Sequence, residues 1–250
     1  MGFVIAIAGK GGSGKTTTAG LLIRLLKERP GVSILGIDAD PNHNLGDVLG
    51  MSVSGTIGQM LDEISSNPGT VPAGMSKDRF IEYKIQTLVQ EGEGFDIITM
   101  GRPEGPGCYC YVNNVLRNTM GKLAKDYDYV VIDNEAGLEH FSRRTTGSAN
   151  VLIVVSEPSA VGLKAAERIH DLVKDLKIKT KHNCLIINRF AGHVVEEKIK
   201  KTGLEHIGNI PEDQIVRNLS IEGGSLLGLD KDSLSLNSLR RIGEKIWGSN

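Results

Sequence analysis

No stretch of this sequence is apolar for long enough to cross a membrane, and no leader stands ahead of the first strand, so a cytoplasmic protein is expected. An excess of one charge is also missing. Its 29 Lys and Arg face 30 Asp and Glu, a net charge of −1. That balance removes the electrostatic reason to expect nucleic acid or an anionic membrane as a partner. Cysteine is scarce. Three in 250 residues are too few for a disulfide framework, and in a reducing compartment their spacing points to metal or redox chemistry. There is no internal repeat and no low-complexity tract. The length suits one α/β domain spanning 1–250.

The chain is organised around Gly9, Lys10, Gly11, Gly12, Ser13, Gly14, Lys15, Thr16 and Thr17. An apolar run of strand length, 3–8, precedes this stretch, and Leu21, Leu22, Leu25 and Leu26 follow it at helical spacing. Strand, glycine-rich loop and helix are the context in which G-x-x-x-x-G-K-[ST] is a phosphate site. Glycine allows successive N–H groups to point inward as an anion nest, and the helix adds its positive N-terminal end. Lys15 is expected to reach the β- and γ-phosphates of ATP, and the Thr16 hydroxyl to ligate Mg²⁺.

Further apolar runs at 32–38, 95–100, 129–133, 151–155 and 184–187 read as strands, with a further strand leading into 207–213. Helical stripes lie between them. They include Ile57, Met60, Leu61 and Ile64, the stretch 77–90, and Leu163, Ala166, Ile169, Val173 and Leu176. The expected fold is α/β, a mostly parallel central sheet with helices on both faces, as in P-loop NTPases. A helix from about Ser235 carries Leu239, Ile242, Ile246 and Trp247 beside Arg240, Arg241 and Lys245. Core packing suits it better than a place on a membrane.

Carboxylates end two of these strands. Asp38 and Asp40 are two apart and share a face while the backbone stays extended, or else Asp40 and Pro41 simply break the strand. The run at 129–133 ends in Asp133 and fits a Walker B strand near the Mg²⁺ shell. Gly137 just beyond lets the loop come close to the γ-phosphate. At the end of the run 184–187, Asn188 followed by Arg189 offers an amide to an adenine edge, although an Asn there is also an ordinary turn former.

Cys108 and Cys110 lie ahead of a helical stripe, Val112, Val115, Leu116 and Leu123. Thiols near a helix N-terminus are poised as thiolates, the metal-binding form. Two thiolates are half of the usual four-ligand site for Zn²⁺ or Ni²⁺. Cys184 reads as a buried small hydrophobe, and no histidine lies near Cys108 in sequence, which leaves His43 or His140 to approach in space. A two-fold homodimer would complete the set. A redox pair, an intrachain disulfide and two incidental thiols remain as alternatives.

The loop's additional lysine, Lys10, resembles the deviant Walker motif of the MinD/Mrp/NifH/ArsA group. This resemblance implies a homodimer in which Lys10 reaches the facing subunit's nucleotide; a merely solvated lysine is the alternative. It also implies that Asp38 helps hold Mg²⁺ and its waters, and that Asp40 orients the attacking water. Asn188 and the Pro211, Glu212, Asp213 loop resemble that group's base-binding elements. Taken together, the loop, the Cys108/Cys110 pair and the run from Asp133 to His140 are similar to CooC/AcsF proteins. That resemblance implies an ATPase that matures the nickel site of carbon monoxide dehydrogenase or acetyl-CoA synthase. A NifH-like electron-transfer protein is a weaker match, because no cysteine follows Asp133 closely. A MinD- or ParA-like regulator is the third possibility.

Overall fold

The computed structural model describes residues 2–40, 44–101, 110–135, 148–192 and 196–247. Its strands are β1 (Phe3–Gly9), β2 (Ile34–Ala39), β3 (Gln90–Gly92), β4 (Phe95–Thr99), β5 (Tyr129–Asn134), β6 (Ser148–Ser156), β7 (Lys179–Phe190) and β8 (Glu205–Pro211), and all but β3 and β8 contain an apolar run. Among the described residues they form a single sheet in the order β3-β4-β2-β5-β1-β6-β7-β8. Only the β3–β4 pair is antiparallel.

The unbroken apolar character of β1 has a direct cause. Ile5 and Ile7 point into one core, and Val4, Ala6 and Ala8 into another on the opposite face. A strand buried on both faces has no room for a polar side chain. One face is covered by α3 (Ile57–Ser66), α4 (Lys77–Thr87), α5 (Cys110–Leu123) and α6 (Ala160–Asp175). The other is covered by α1 (Lys15–Leu26), α2 (Asn44–Val48) and, beyond α7 (Glu196–Lys201) and α8 (Gln214–Glu222), by α9 (Leu234–Trp247). The expected parallel sheet with helices on both faces is the observed one.

Two boundaries differ from expectation. The helix expected to run to Gln90 stops at Thr87, and Gln90 turns into a short edge strand paired with Ile97. Gly94, at φ 79°, makes the tight return that the apolar pattern did not signal. Strand β7 extends well beyond 184–187 at both ends and so carries Asn188 and Arg189 within it. In α9, Leu236, Leu239 and Ile242 are buried, and the Trp247 ring meets Tyr129 edge-on at 6.1 Å between centroids. That is the packing role expected of it. No helix among the described residues is long and apolar enough to cross a membrane.

Candidate active site

Because β1 lies between β5 and β6, the loop that follows it emerges at the middle of the sheet's carboxyl edge, where open α/β folds bind ligands. Gly12 and Gly14 adopt left-handed φ values of 79° and 91°. The Ser13 N–H donates to the Lys10 carbonyl at 3.1 Å and closes the turn. A side chain at Gly14 would collide with the amide of Asn188, so glycine is required there by its neighbour as well as by its φ. Lys15 is only 7% exposed, with Nζ 3.4 Å from the Lys10 carbonyl. Its charge is thus folded over the loop that it would share with a phosphate. Lys10, by contrast, is exposed.

Asp38 and Asp133 are register partners on neighbouring strands, both fully buried. Asp38 accepts from the backbone N–H groups of Asp40 (3.1 Å) and Leu45 (2.9 Å), tying the start of α2 to the end of β2. Burial, the largest cause, pushes the Asp38 carboxyl up to about 7; the Leu45 hydrogen bond opposes this, and Asp133 adds to it. Burial likewise pushes Asp133 up to about 6, restrained by Thr16 and by the Lys15 ammonium. The Thr16 hydroxyl is near enough to draw the value down but falls short of good hydrogen-bond geometry. Among the described residues both Asp133 oxygens are without a hydrogen-bond partner, as is Oδ1 of Asn134, whose Nδ2 donates to the Ile7 carbonyl at 2.9 Å. Buried orphan carboxylate oxygens beside a threonine hydroxyl and a lysine are a donor set that suits a divalent cation with a phosphate.

This arrangement sets a pH dependence. Both folded-state values lie above the ordinary carboxylate value, so the folded protein holds protons that the unfolded chain has released. Stability therefore falls as pH rises from the unfolded value through about 6 to 7. Without nucleotide, Tm should drop by roughly 5–10 °C between about pH 5 and pH 8. Asp38→Asn should flatten much of that slope in a melting series; an equally steep slope in the variant would place its origin elsewhere.

Beside the loop lies a cleft of about 510 Å³, lined by Thr17 of α1, Asn188 and Arg189 of β7, the Pro211, Glu212, Asp213 turn, and α8. The residues expected at a base site thus come together, but several of their polar groups are engaged within the protein. Asn188 donates Nδ2 to the Ser13 carbonyl at 2.9 Å, and Arg189 donates to the Gly12 carbonyl at 3.1 Å. Glu212 is exposed and pairs with Arg217 at 3.5 Å. Asp213 lines the cleft too, with its carboxylate engaged. Its Oδ1 accepts from the N–H groups of Ile215 and Val216, and its Oδ2 from Ser233 and Ser235. Burial alone would raise its pKa, but these four bonds hold it below the ordinary value. Its carboxylate joins the starts of α8 and α9 instead of facing the cleft as a free acceptor.

Sequence reasoning missed α8, whose Val216, Arg217, Ser220 and Ile221 line the cleft. The signal was present, because an N-capping Asp213 precedes Ile215, Val216 and Leu219 at helical spacing. It also missed Glu157, which pairs with Arg189 at 2.7 Å. No local pattern marks that pair.

Cys108, Gly137, His43 and His140 lie outside the described residues. Cys110 is the first residue of α5. Among the described residues no three His, Cys, Asp or Glu side chains are grouped as a metal site. Cys184 is a buried free thiol; burial, then Glu205, pushes its pKa up to about 11, as befits an unreactive packing residue.

Residues 2–186 match the AAA domain family. An uncharacterized ATP-binding protein of Methanocaldococcus jannaschii is 40% identical over 97% of this chain and 98% of its own length. The carbon monoxide dehydrogenase accessory protein CooC of Rhodospirillum rubrum is 32% identical over 85% of each chain. Among solved structures, the septum site-determining protein MinD of Pyrococcus horikoshii, complexed with Mg-ADP, superposes with a TM-score of 0.72 at 22% identity, covering 99% of this chain and 96% of that one. Phosphate loop, paired strand-end carboxylates and the matched profile agree, and the chain belongs to the AAA domain family as a P-loop ATPase of the MinD kind.

Proposed function

We propose that this ATPase delivers nickel, or zinc in its place, to a client enzyme, carbon monoxide dehydrogenase or acetyl-CoA synthase. Each protomer supplies two sulfurs, Cys108 and Cys110, and two protomers together make the four-sulfur site. ATP with Mg²⁺ binds at the phosphate loop, where Lys15 meets the phosphates and Thr16, Asp38 and Asp133 surround the cation. Asp40 orients the attacking water, Gly137 senses the γ-phosphate, and Lys10, exposed on the loop, reaches the facing subunit's nucleotide. Asn188, Arg189 and the Pro211, Glu212, Asp213 turn border the base.

The observation that carries this reading is the position of Cys110. It heads α5, the crossover from β4 to β5, and both strands run parallel to β2. The start of such a crossover lies at the carboxyl edge of the sheet, the edge that also holds the loop and the two carboxylates. A residue at the helix start there is one helix away from Asp133 at the end of β5. A nucleotide-driven pairing of subunits can therefore act on the sulfurs, provided that the metal binds the two states with different affinity. Similarity to the CooC accessory protein points the same way.

Metal content per subunit, measured with and without ATP alongside mass in solution, tests the proposal. The expectation is about one nickel or zinc per two subunits in the dimer. Replacing Cys108 and Cys110 together with serine should remove nearly all bound metal while Tm stays put. Full metal content in that variant would move the site elsewhere. A positional regulator of the MinD kind is a second reading, favoured by the shared fold. ATP-dependent sedimentation with anionic vesicles, together with an absence of bound metal, would select it.

A further inference from the structure

We propose that Arg189 is a positioning residue for the phosphate loop, held in its working direction by Glu157. The inference rests on the phosphate loop as the nucleotide site and is independent of metal delivery. It begins with an anomaly in the backbone. Arg189 sits at φ 52°, one of two non-glycine residues among those described with positive φ. An ordinary L-residue is strained in that conformation, which persists where the surroundings enforce it.

The side chain shows what the conformation achieves. The guanidinium donates to the Gly12 carbonyl at 3.1 Å and to a Glu157 oxygen at 2.7 Å. The residue before it, Asn188, donates to the Ser13 carbonyl at 2.9 Å. Consecutive side chains of β7 thus hold consecutive carbonyls of the loop, 177 residues away for Arg189 and Gly12. In a planar trans peptide the carbonyl and the next N–H point in opposite directions. Anchoring the Gly12 carbonyl therefore orients the Ser13 N–H, which closes the turn on Lys10. Anchoring the Ser13 carbonyl orients the Gly14 N–H.

Little else restrains that part of the loop. No atom lies within 4 Å of where a Cβ would stand on Gly11 or Gly12. Glycines without packing contacts drift unless a specific bond fixes their peptide planes. The Arg189–Glu157 pair is about half exposed, at 52% and 41% for the two side chains. As an ion pair it adds little to stability. Its effect is directional, because Glu157 keeps the guanidinium over Gly12 and out of the open cleft that Arg189 also borders.

The test compares Arg189→Gly, Arg189→Lys, Glu157→Gln and the double variant Arg189→Gly/Glu157→Gln in the full chain. Glycine relieves the backbone strain, so Tm of Arg189→Gly should stay within a few degrees of the parent. The Kd for Mg-ADP should nevertheless rise about fivefold to tenfold, and the Kd for inorganic pyrophosphate by the same factor, because the nest itself is loosened. In ATP turnover the change should appear in KM more than in kcat. Arg189→Lys should recover part of the loss, since an ammonium keeps the charge but lacks the planar head by which a single guanidinium nitrogen, Nη1, faces both acceptors. Glu157→Gln should weaken binding about threefold, and the double variant should be no worse than Arg189→Gly alone. ADP affinity within twofold of the parent in Arg189→Gly would overturn the proposal. So would weakened ADP binding with unchanged pyrophosphate binding, which would mean that Arg189 touches the nucleoside. If the unaltered protein bound neither ligand, the phosphate-site reading would fall first and take this one with it.

Discussion

Lys15→Ala is expected to reduce ATP turnover by at least two to three orders of magnitude. Its ammonium is buried in the mouth of the loop, where among the described residues the Lys10 carbonyl is its hydrogen-bond acceptor, at 3.4 Å. A cation held there out of water interacts with a triphosphate much more strongly than the same charge would on the surface. Removing it leaves the loop's N–H groups and the helix end, which bind an anion but cannot follow the charge that grows during phosphoryl transfer. The fold should be little affected, since the core of α1 rests on Leu21, Leu22, Ile23 and Leu26. Phosphate release and nucleotide binding by the purified variant, beside a melting curve, give the answer. Turnover within tenfold of the parent would remove the phosphate loop from the chemistry.

Asp133→Asn should separate stability from activity. Two carboxylate oxygens buried at the end of β5, unpartnered among the described residues, are costly to keep ionised, and for that reason burial pushes the Asp133 pKa up to about 6. A neutral amide removes that cost, so near pH 8 the nucleotide-free variant should melt no lower than the parent and by up to several degrees higher. Hydrolysis should fall about a hundredfold or more, because the amide cannot supply the anionic oxygen that a divalent cation needs. Active sites often retain such a penalty where function requires it. A variant that hydrolyses ATP at the parental rate, or one that melts well below the parent, would show that the carboxylate is structural.

The two carboxylates also show how much of the site was legible beforehand. Asp38 and Asp133 each end an apolar run, and such ends in a parallel sheet lie on one edge; that much follows from local pattern. That they are register partners, and that Asp38 gives its oxygens to Asp40 and Leu45 while those of Asp133 remain unpartnered, follows from strand order and from where α2 begins. Asp213 illustrates the same division. It lines the cleft beside the phosphate loop, yet its Oδ2 is drawn to Ser233 and Ser235 at the start of α9. The edge strand β3 went unseen because three residues with no alternating pattern declare nothing until β4 is beside them.

The sequence alone determined the strand–loop–helix that cradles phosphate, the α/β layering and the carboxylates at strand ends. Each of these depends on residues within a turn or two of one another, where spacing translates directly into geometry. Tertiary structure alone decided which polar atoms are left to work. The clasp of Arg189 on Gly12, the engagement of Asp213 and the bare oxygens of Asp133 are settled among residues far apart in the chain, once packing has excluded water and brought distant donors and acceptors together.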